Sequence, residues 1–317
     1  MASDISYTTE EIAQMLKISK LTVYDLIKKG ELPSYRVGKQ MRVDAADLEA
    51  YKRRHKNGMP VPPEPAAPAG EQKQPAAPDR SAERRIVITG QDISLDILAK
   101  HMEKSAPGTR PLREYVGSLD SLVSMYLGKA DIVSTHLLDG DTGEYNIPYI
   151  RKLLVGQSFL VANLLSRPAG IYVQEGNPHR IKDWSDLSRP GVRIVNREPG
   201  SGARVLLDEQ LRLLRIPASG VNGYERTENN HLAVAGKVAA GEADAGVGIE
   251  KAARFVGGVE FIPLIQERYD LVMLKRPDNR SWIDAVLRIL RSEAFRNELR
   301  LMHGYDLSLT GEVLFET

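Results

Sequence analysis

Between Met59 and Ala82 seven prolines (Pro60, Pro62, Pro63, Pro65, Pro68, Pro75 and Pro78) interleave with Ala66, Ala67, Ala69, Ala76 and Ala77, and almost nothing bulky is present to bury. Such a stretch cannot offset its own ordering entropy, so it is expected to be a polyproline-biased spacer rather than part of a core. A single continuous fold is therefore excluded. The expected division is a small unit over 1–58, a linker over 59–82 and a large unit over 83–317. Charge divides at the same point: residues 1–58 carry 11 Lys and Arg against 8 Asp and Glu, and the rest carries 32 against 34. A net charge of +1 over 317 residues argues against a protein that coats DNA by bulk charge. The absence of cysteine rules out a disulfide framework and a thiolate metal site. No apolar run approaches the ~20 residues of a membrane helix. The first residues also lack the basic and apolar regions of a secretory signal. A cytoplasmic protein with no membrane partner is expected.

In the small unit, Thr8 or Thr9 can cap a helix, with Glu11 or Glu10 completing a capping box and Ile12, Met15 and Leu16 on one face. Ser19 can cap a second helix whose apolar residues are Leu21, Val23, Leu26 and Ile27, with Gly30 at its end. Two short helices joined by a tight turn make a helix-turn-helix. Residues 32–43 alternate around Val37-Gly38-Lys39 and predict a hairpin, and Asp44 can cap a third helix. On this reading Ser19, Lys20, Thr22, Tyr24, Lys28 and Lys29 of the second helix, with Arg36, Lys39, Gln40 and Arg42 of the hairpin, face double-stranded DNA. Lys28 and Lys29 suit phosphates, and Thr22 and Tyr24 suit phosphates or base edges. The stretch from Tyr7 to Arg54, including Gly30-Glu31-Leu32-Pro33-Ser34-Tyr35-Arg36-Val37-Gly38, resembles the excisionase-type winged helix-turn-helix, a relative of the MerR head.

From Arg84 onward strands and helices alternate, the pattern of an α/β fold. Arg85–Gly90, Tyr115–Ser118, Ala130–Thr135, Val192–Asn196 and Ala243–Gly248 read as strands or strand ends. Three of these ends deliver small or hydroxyl residues to a helix start: Gly90 to Ser94, Gly117-Ser118, and Gly200-Ser201-Gly202. Free amides and the positive end of a helix stabilise an anion there, and ligands of such sheets bind beyond the carboxyl ends of strands. Arg197 and Arg204 flank the glycine loop; either can bind an oxyanion in two-pronged fashion or pair with Glu198, Asp208 or Glu228. His231 opens a helix and suits a ligand or a structural hydrogen bond. Asp92 and Asp96 suit a helix cap better than catalysis, and Glu267-Arg268-Tyr269-Asp270 suits an internal ion pair at a strand that runs on through Leu271–Leu274.

Several of these segments, among them Gly128-Lys129-Ala130-Asp131-Ile132, Thr135-His136-Leu137-Leu138-Asp139, Gly200-Ser201-Gly202-Ala203-Arg204 and Gly241-Glu242-Ala243-Asp244-Ala245-Gly246, resemble the periplasmic-binding-protein-like sensor domain of bacterial regulators. That domain is akin to molybdate- and tungstate-binding proteins. The resemblance implies a type II, two-lobed α/β domain with hinged crossing strands, a second lobe over about 160–262 and a ligand in the cleft. Asp92, Ser94, Ser118, Thr135, Arg197, Gly200, Ser201, Gly202, Ala203, Arg204 and His231 are then the candidate ligand residues. The chain departs from the family pattern at Ala203 and Asn230, where a threonine is common.

No phosphate-binding Gly-Lys-Ser loop, serine elbow or carboxylate-rich metal site is present, so no enzyme and no cofactor is expected. The expected function is a transcriptional regulator that binds operator DNA through its head and senses an oxyanion, molybdate or tungstate first, through its cleft. A homodimer or higher homo-oligomer would span half-sites one helical turn apart. An oxyanion-storage protein and an excisionase-like architectural factor are the alternatives.

Overall fold

The structure, a computed structural model, describes residues 6–28, 32–37, 40–55 and 83–317. It separates into two compact units, Met1–Pro75 and Ala76–Thr317. Gly30, Gly38 and the spacer lie outside the described residues.

In the first unit β1 (Ser6–Thr8), α1 (Thr9–Leu16), α2 (Lys20–Lys28), β2 (Tyr35–Val37), β3 (Gln40–Asp44) and α3 (Ala45–His55) form the expected winged helix-turn-helix. Thr8, rather than Thr9, caps α1. Its hydroxyl accepts the Glu11 amide at 3.3 Å while the Glu11 carboxylate accepts the Thr8 amide at 2.7 Å. Lys17, at φ 55°, turns the chain left-handed and ends the helix. The Ser19 hydroxyl accepts the Thr22 amide at 3.1 Å and so starts α2. The hairpin is extended to three strands by β1, which the sequence pattern does not signal; the order is β1-β3-β2 and Tyr7 pairs with Val43. Ile12, Val23, Leu32, Val43 and Leu48 close the core beneath.

The second unit begins with β4 (Arg84–Thr89), α4 (Ser94–Ser105), β5 (Thr109–Glu114), α5 (Ser118–Tyr126), β6 (Ile132–Thr135) and α6 (Ile147–Leu153). It continues through β7 (Phe159–Gln174), β8 (Ile194–Arg197), α7 (Gly202–Leu213), β9 (Thr227–Glu228), α8 (His231–Ala239), β10 (Ala245–Ile249) and α9 (Glu250–Phe255). It ends with β11 (Val259–Leu274), α10 (Arg280–Arg291), α11 (Glu293–Arg300) and β12 (Val313–Glu316). The strand order is β5-β4-β6-β11-β7-β10-β8-β9, with β12 also on β7.

The 16-residue strands β7 and β11 run antiparallel and pair along their whole length, from Val259 opposite Gln174 to Leu274 opposite Phe159. One end of this ribbon carries β6 on Asp270–Met273, and the other carries β10 on Ala169–Val173. Each half of the sheet is covered on both faces. Ile86, Leu98, Trp282 and Phe295 fill one face of the first half, and Leu122, Ile150 and Phe159 the other. The second half has Leu187, Leu207 and Val247 on one face and Tyr172, Val234 and Ala252 on the other. Two lobes thus share one ribbon. β4, β5 and β6 are parallel, as are β8, β9 and β10, so α4, α5, α7 and α8 all begin at the carboxyl ends of strands.

Candidate functional site

The DNA-facing residues read from the sequence are only partly in view. Tyr24 is 41% exposed on α2, Thr22 is exposed, and its hydroxyl lies 2.8 Å from that of Ser19. Lys20 is exposed and pairs with Glu10. Arg42 is half-buried and donates to the Ser6 hydroxyl at 3.2 Å, which ties β3 to β1. Lys29 and Lys39, and the side chains of Lys28, Arg36 and Gln40, lie outside the described residues.

In the second unit a cavity of about 700 Å³ opens where four helix starts converge: Gln91-Asp92-Ile93 before α4, Gly117-Ser118 at α5, Ser201-Gly202 at α7 and Asn230-His231 at α8. The first-turn amides of a helix have no intrahelical acceptor, and they carry partial positive charge into the space they face. The lobes meet across the cavity floor. The Leu119 amide donates to the Gly200 carbonyl at 3.0 Å, and Arg197 Nη2 donates to Gln91 Oε1 at 2.7 Å. The His136 ring lies directly over Gly202, where a Cβ would collide with it.

A buried charge network underlies this floor. Arg167 and Glu267 face each other across the ribbon, and Arg167 Nε donates to Glu267 Oε1 at 2.6 Å. Arg167 Nη1 donates to Asp92 Oδ2. Asp92 Oδ1 accepts from the Ser94 amide at 2.8 Å and from the Tyr305 hydroxyl at 2.7 Å. Glu267 Oε2 lies 3.1 Å from His136 Nδ1, and the Arg167 guanidinium stacks 4.6 Å from the centre of the Tyr269 ring. Burial pushes the Glu267 carboxyl up, but the charges of His136 and Arg167 outweigh it and hold it well below the usual carboxylate range. Burial likewise raises Asp92, and Arg167 with the Ser94 and Tyr305 hydrogen bonds reverses the sign. The ion pair expected around Glu267 is therefore present, and Arg268 separately pairs with buried Asp270 at 2.8 Å.

Arg197 is 1% exposed and lines the cavity. Its Nε donates to Glu198 at 2.7 Å and its Nη2 to Gln91, Glu198 and the Asn229 carbonyl, leaving Nη1 without a partner among the described residues. The Nη2 of Arg167 is also uncommitted among them. Burial, then the charges of Arg197 and Arg167, hold the His231 imidazole well below its ordinary value, so it is neutral at pH 7. Its Nδ1 is buried with no partner among the described residues. Lys251 also lines the cavity, beside two neutral groups: the Tyr305 hydroxyl at 3.1 Å and Met302 Sδ at 3.2 Å.

Of the candidates from the sequence, Asp92, Ser118, Arg197, Ser201, Gly202 and His231 line the cavity. Ser94, Thr135, Gly200, Ala203 and Arg204 do not. The Ser94 and Thr135 hydroxyls are buried behind the lining, without partners among the described residues. Arg204 turns away onto the Tyr224 ring at 3.9 Å and donates to Asp208 at 3.1 Å. Arg167, His136, Gln91 and Lys251 are site residues that the sequence pattern does not single out. Arg167 does carry a signal: one charged side chain inside the apolar run from Phe159 to Val173 must be paired if that run is buried.

Residues 99–291, more than half the chain, match the PBP superfamily domain, and residues 6–56 match a helix-turn-helix domain. An uncharacterized Bacillus subtilis protein, YvgK, is 52% identical over 312 residues, 98% of each chain. A sulfate-binding protein of Synechococcus elongatus is 58% identical over 36 residues, 11% of this chain and 10% of that one. Among solved structures, a hydrogen-peroxide-bound mutant of Corynebacterium glutamicum OxyR shares the fold with a TM-score of 0.51 at 12% identity, over 93% of this chain and 90% of that one. With more than half of its length matched and its crossing-strand fold in place, the chain belongs to the PBP superfamily, with a helix-turn-helix domain ahead of the superfamily domain.

Proposed function

We propose that this protein is a ligand-responsive DNA-binding regulator whose cleft takes an oxyanion. The observation that carries the ligand class is the set of cations in the lining, Arg167, Arg197, Lys251 and Arg254, with Asp92 the one carboxylate there among the described residues. Glu267, Glu198 and Glu250 pair three of these cations from outside the lining. Asp92 is already bonded by Arg167, the Ser94 amide and Tyr305, so the one carboxylate of the lining among the described residues is largely engaged before an ammonium group arrives. Uncommitted nitrogens on Arg167 and Arg197, four helix starts and the neutral His231 ring are suited to a compact anion. The short match to a sulfate-binding protein supports the same class. Molybdate and tungstate, the ions implied by the resemblance, stand first in the panel to be tested.

Ligand bound between the lobes favours the arrangement in which Gln91 meets Arg197 and Leu119 meets Gly200. In a homodimer that shift alters the spacing of two heads and with it the fit to DNA half-sites. The change in DNA affinity equals the difference in ligand affinity between the two arrangements.

Calorimetry on the full chain with molybdate, tungstate, sulfate and phosphate tests the ligand class. One of the four should bind more tightly than roughly 100 µM. Arg197→Gln should weaken that ion by roughly 10- to 150-fold, the value of one hydrogen bond to a charged group. If none binds in that range, or if Arg197→Gln binds as well as the native chain, the oxyanion reading fails.

A further inference from the structure

The cavity is larger than its polar floor requires. A tetrahedral oxyanion is comparable in size to a few water molecules at ~30 Å³ each. The cavity's 700 Å³ lies instead in the range of pockets that enclose whole organic ligands, roughly 300–1,000 Å³. Outside the floor its wall includes Ile93, Leu232, Ile249, Phe255, Leu301 and Met302, with Arg254 also in the lining. Four of these are unusually open for large apolar side chains: Ile93 47%, Leu232 51%, Phe255 73% and Leu301 84%. They come from the turn before α4, the first turn of α8, the end of α9 and the end of α11. Single exposed apolar residues are ordinary, but four gathered from separate elements around one opening mark a binding surface.

We infer that the ligand is an organic oxyanion: an acidic tetrahedral head on the floor, carrying an apolar body that lies against this outer wall. The inference rests on the oxyanion reading of the floor and adds the second half of the molecule. Continuity carries it. The Tyr305 hydroxyl donates to Asp92 on the floor at 2.7 Å and lies 3.1 Å from the Lys251 ammonium, and Lys251 also touches Met302 of the outer wall. Burial lowers the Lys251 ammonium from its ordinary value, and no carboxylate among the described residues pairs with it. A cation held between a polar floor and an apolar wall suits an anion whose organic part continues outward.

The experiment is calorimetry on the full chain with two series, n-alkyl phosphates and n-alkyl sulfonates from methyl to hexyl, referenced to phosphate, sulfate and molybdate. In at least one series affinity should rise about fourfold for each methylene until the outer wall is covered. The double variant Leu232→Ala with Phe255→Ala should flatten that rise while leaving the affinity of the bare ion unchanged. A bare ion that binds with no gain from the chain in either series overturns this inference and leaves the oxyanion reading standing. A rise that persists undiminished in the double variant overturns it too, because the chain then lies elsewhere. If no ion and no alkyl compound binds, both readings fall together.

Discussion

Arg167→Met should lower the stability of the second unit by about 3–5 kcal/mol, the usual cost of removing one partner from a buried ion network. Arg167 is 4% exposed and is the cation shared by two carboxylates, Asp92 and Glu267, that are themselves buried. Without it both carboxylates remain in a low-dielectric site, with the His136 ring the remaining side-chain partner of Glu267 among the described residues. For a domain of this size the loss corresponds to a fall in Tm on the order of 10 °C. The pH dependence separates charge from packing. In the native chain both carboxyls titrate below their unfolded values, so their contribution is present above about pH 4 and fades as pH falls through the folded values. In the variant, burial acts without the guanidinium and raises both carboxyls, so acid relieves the strain. The stability gap between the two chains should therefore be widest near pH 7 and narrow towards pH 4. Denaturant unfolding at both pH values checks this, and a gap that is small or constant with pH would contradict it. Adding Asp92→Asn and Glu267→Gln to the variant should restore most of the loss, because the unpaired charges are then gone.

Gly202→Ala should leave the fold intact and weaken ligand binding by about 5- to 150-fold. A Cβ at Gly202 meets the His136 ring from the opposite lobe, and His136 is itself held by Glu267 and by the Ser118 hydroxyl. Forcing one extra carbon into a filled contact costs about 1–3 kcal/mol. That cost falls on the approach of the lobes, since Gly202 begins a helix whose backbone an alanine adopts readily. Calorimetry with the tightest-binding oxyanion should show the loss while Tm stays near that of the native chain. An unchanged affinity would mean that the His136–Gly202 contact is not part of the bound arrangement.

The sequence was most informative where local chemistry sets the structure. Thr8 with Glu11, and Ser19 with Thr22, are caps formed within four residues, and both helices begin where those residues stand. The helix starts at Ser118, Ser201-Gly202 and His231 line the cavity for the same reason: small or capping residues follow a strand end. Local chemistry does not say which way a side chain leaves its helix. Arg204, in the first turn of α7, finds Tyr224 and Asp208 instead of the cleft. It says less still about partners distant in the chain. Arg167 meets Glu267 because β7 and β11 pair in one register, and it meets Asp92 only after β4 has been placed beside β6. His136, Lys251 and the apolar outer wall are products of that same long-range assembly.

The most direct test joins head to cleft. An operator is first selected from random double-stranded DNA with the full chain, and its affinity is then measured at fixed salt with and without a saturating amount of the oxyanion that calorimetry identifies. A coupled sensor should change its operator affinity by about 5- to 150-fold, in either direction, corresponding to 1–3 kcal/mol of coupling. Ligand affinity should shift by the same factor when operator is bound. Equal operator affinity with and without ligand would contradict the regulator and leave a DNA-binding head and an anion-binding domain that share a chain but not a switch.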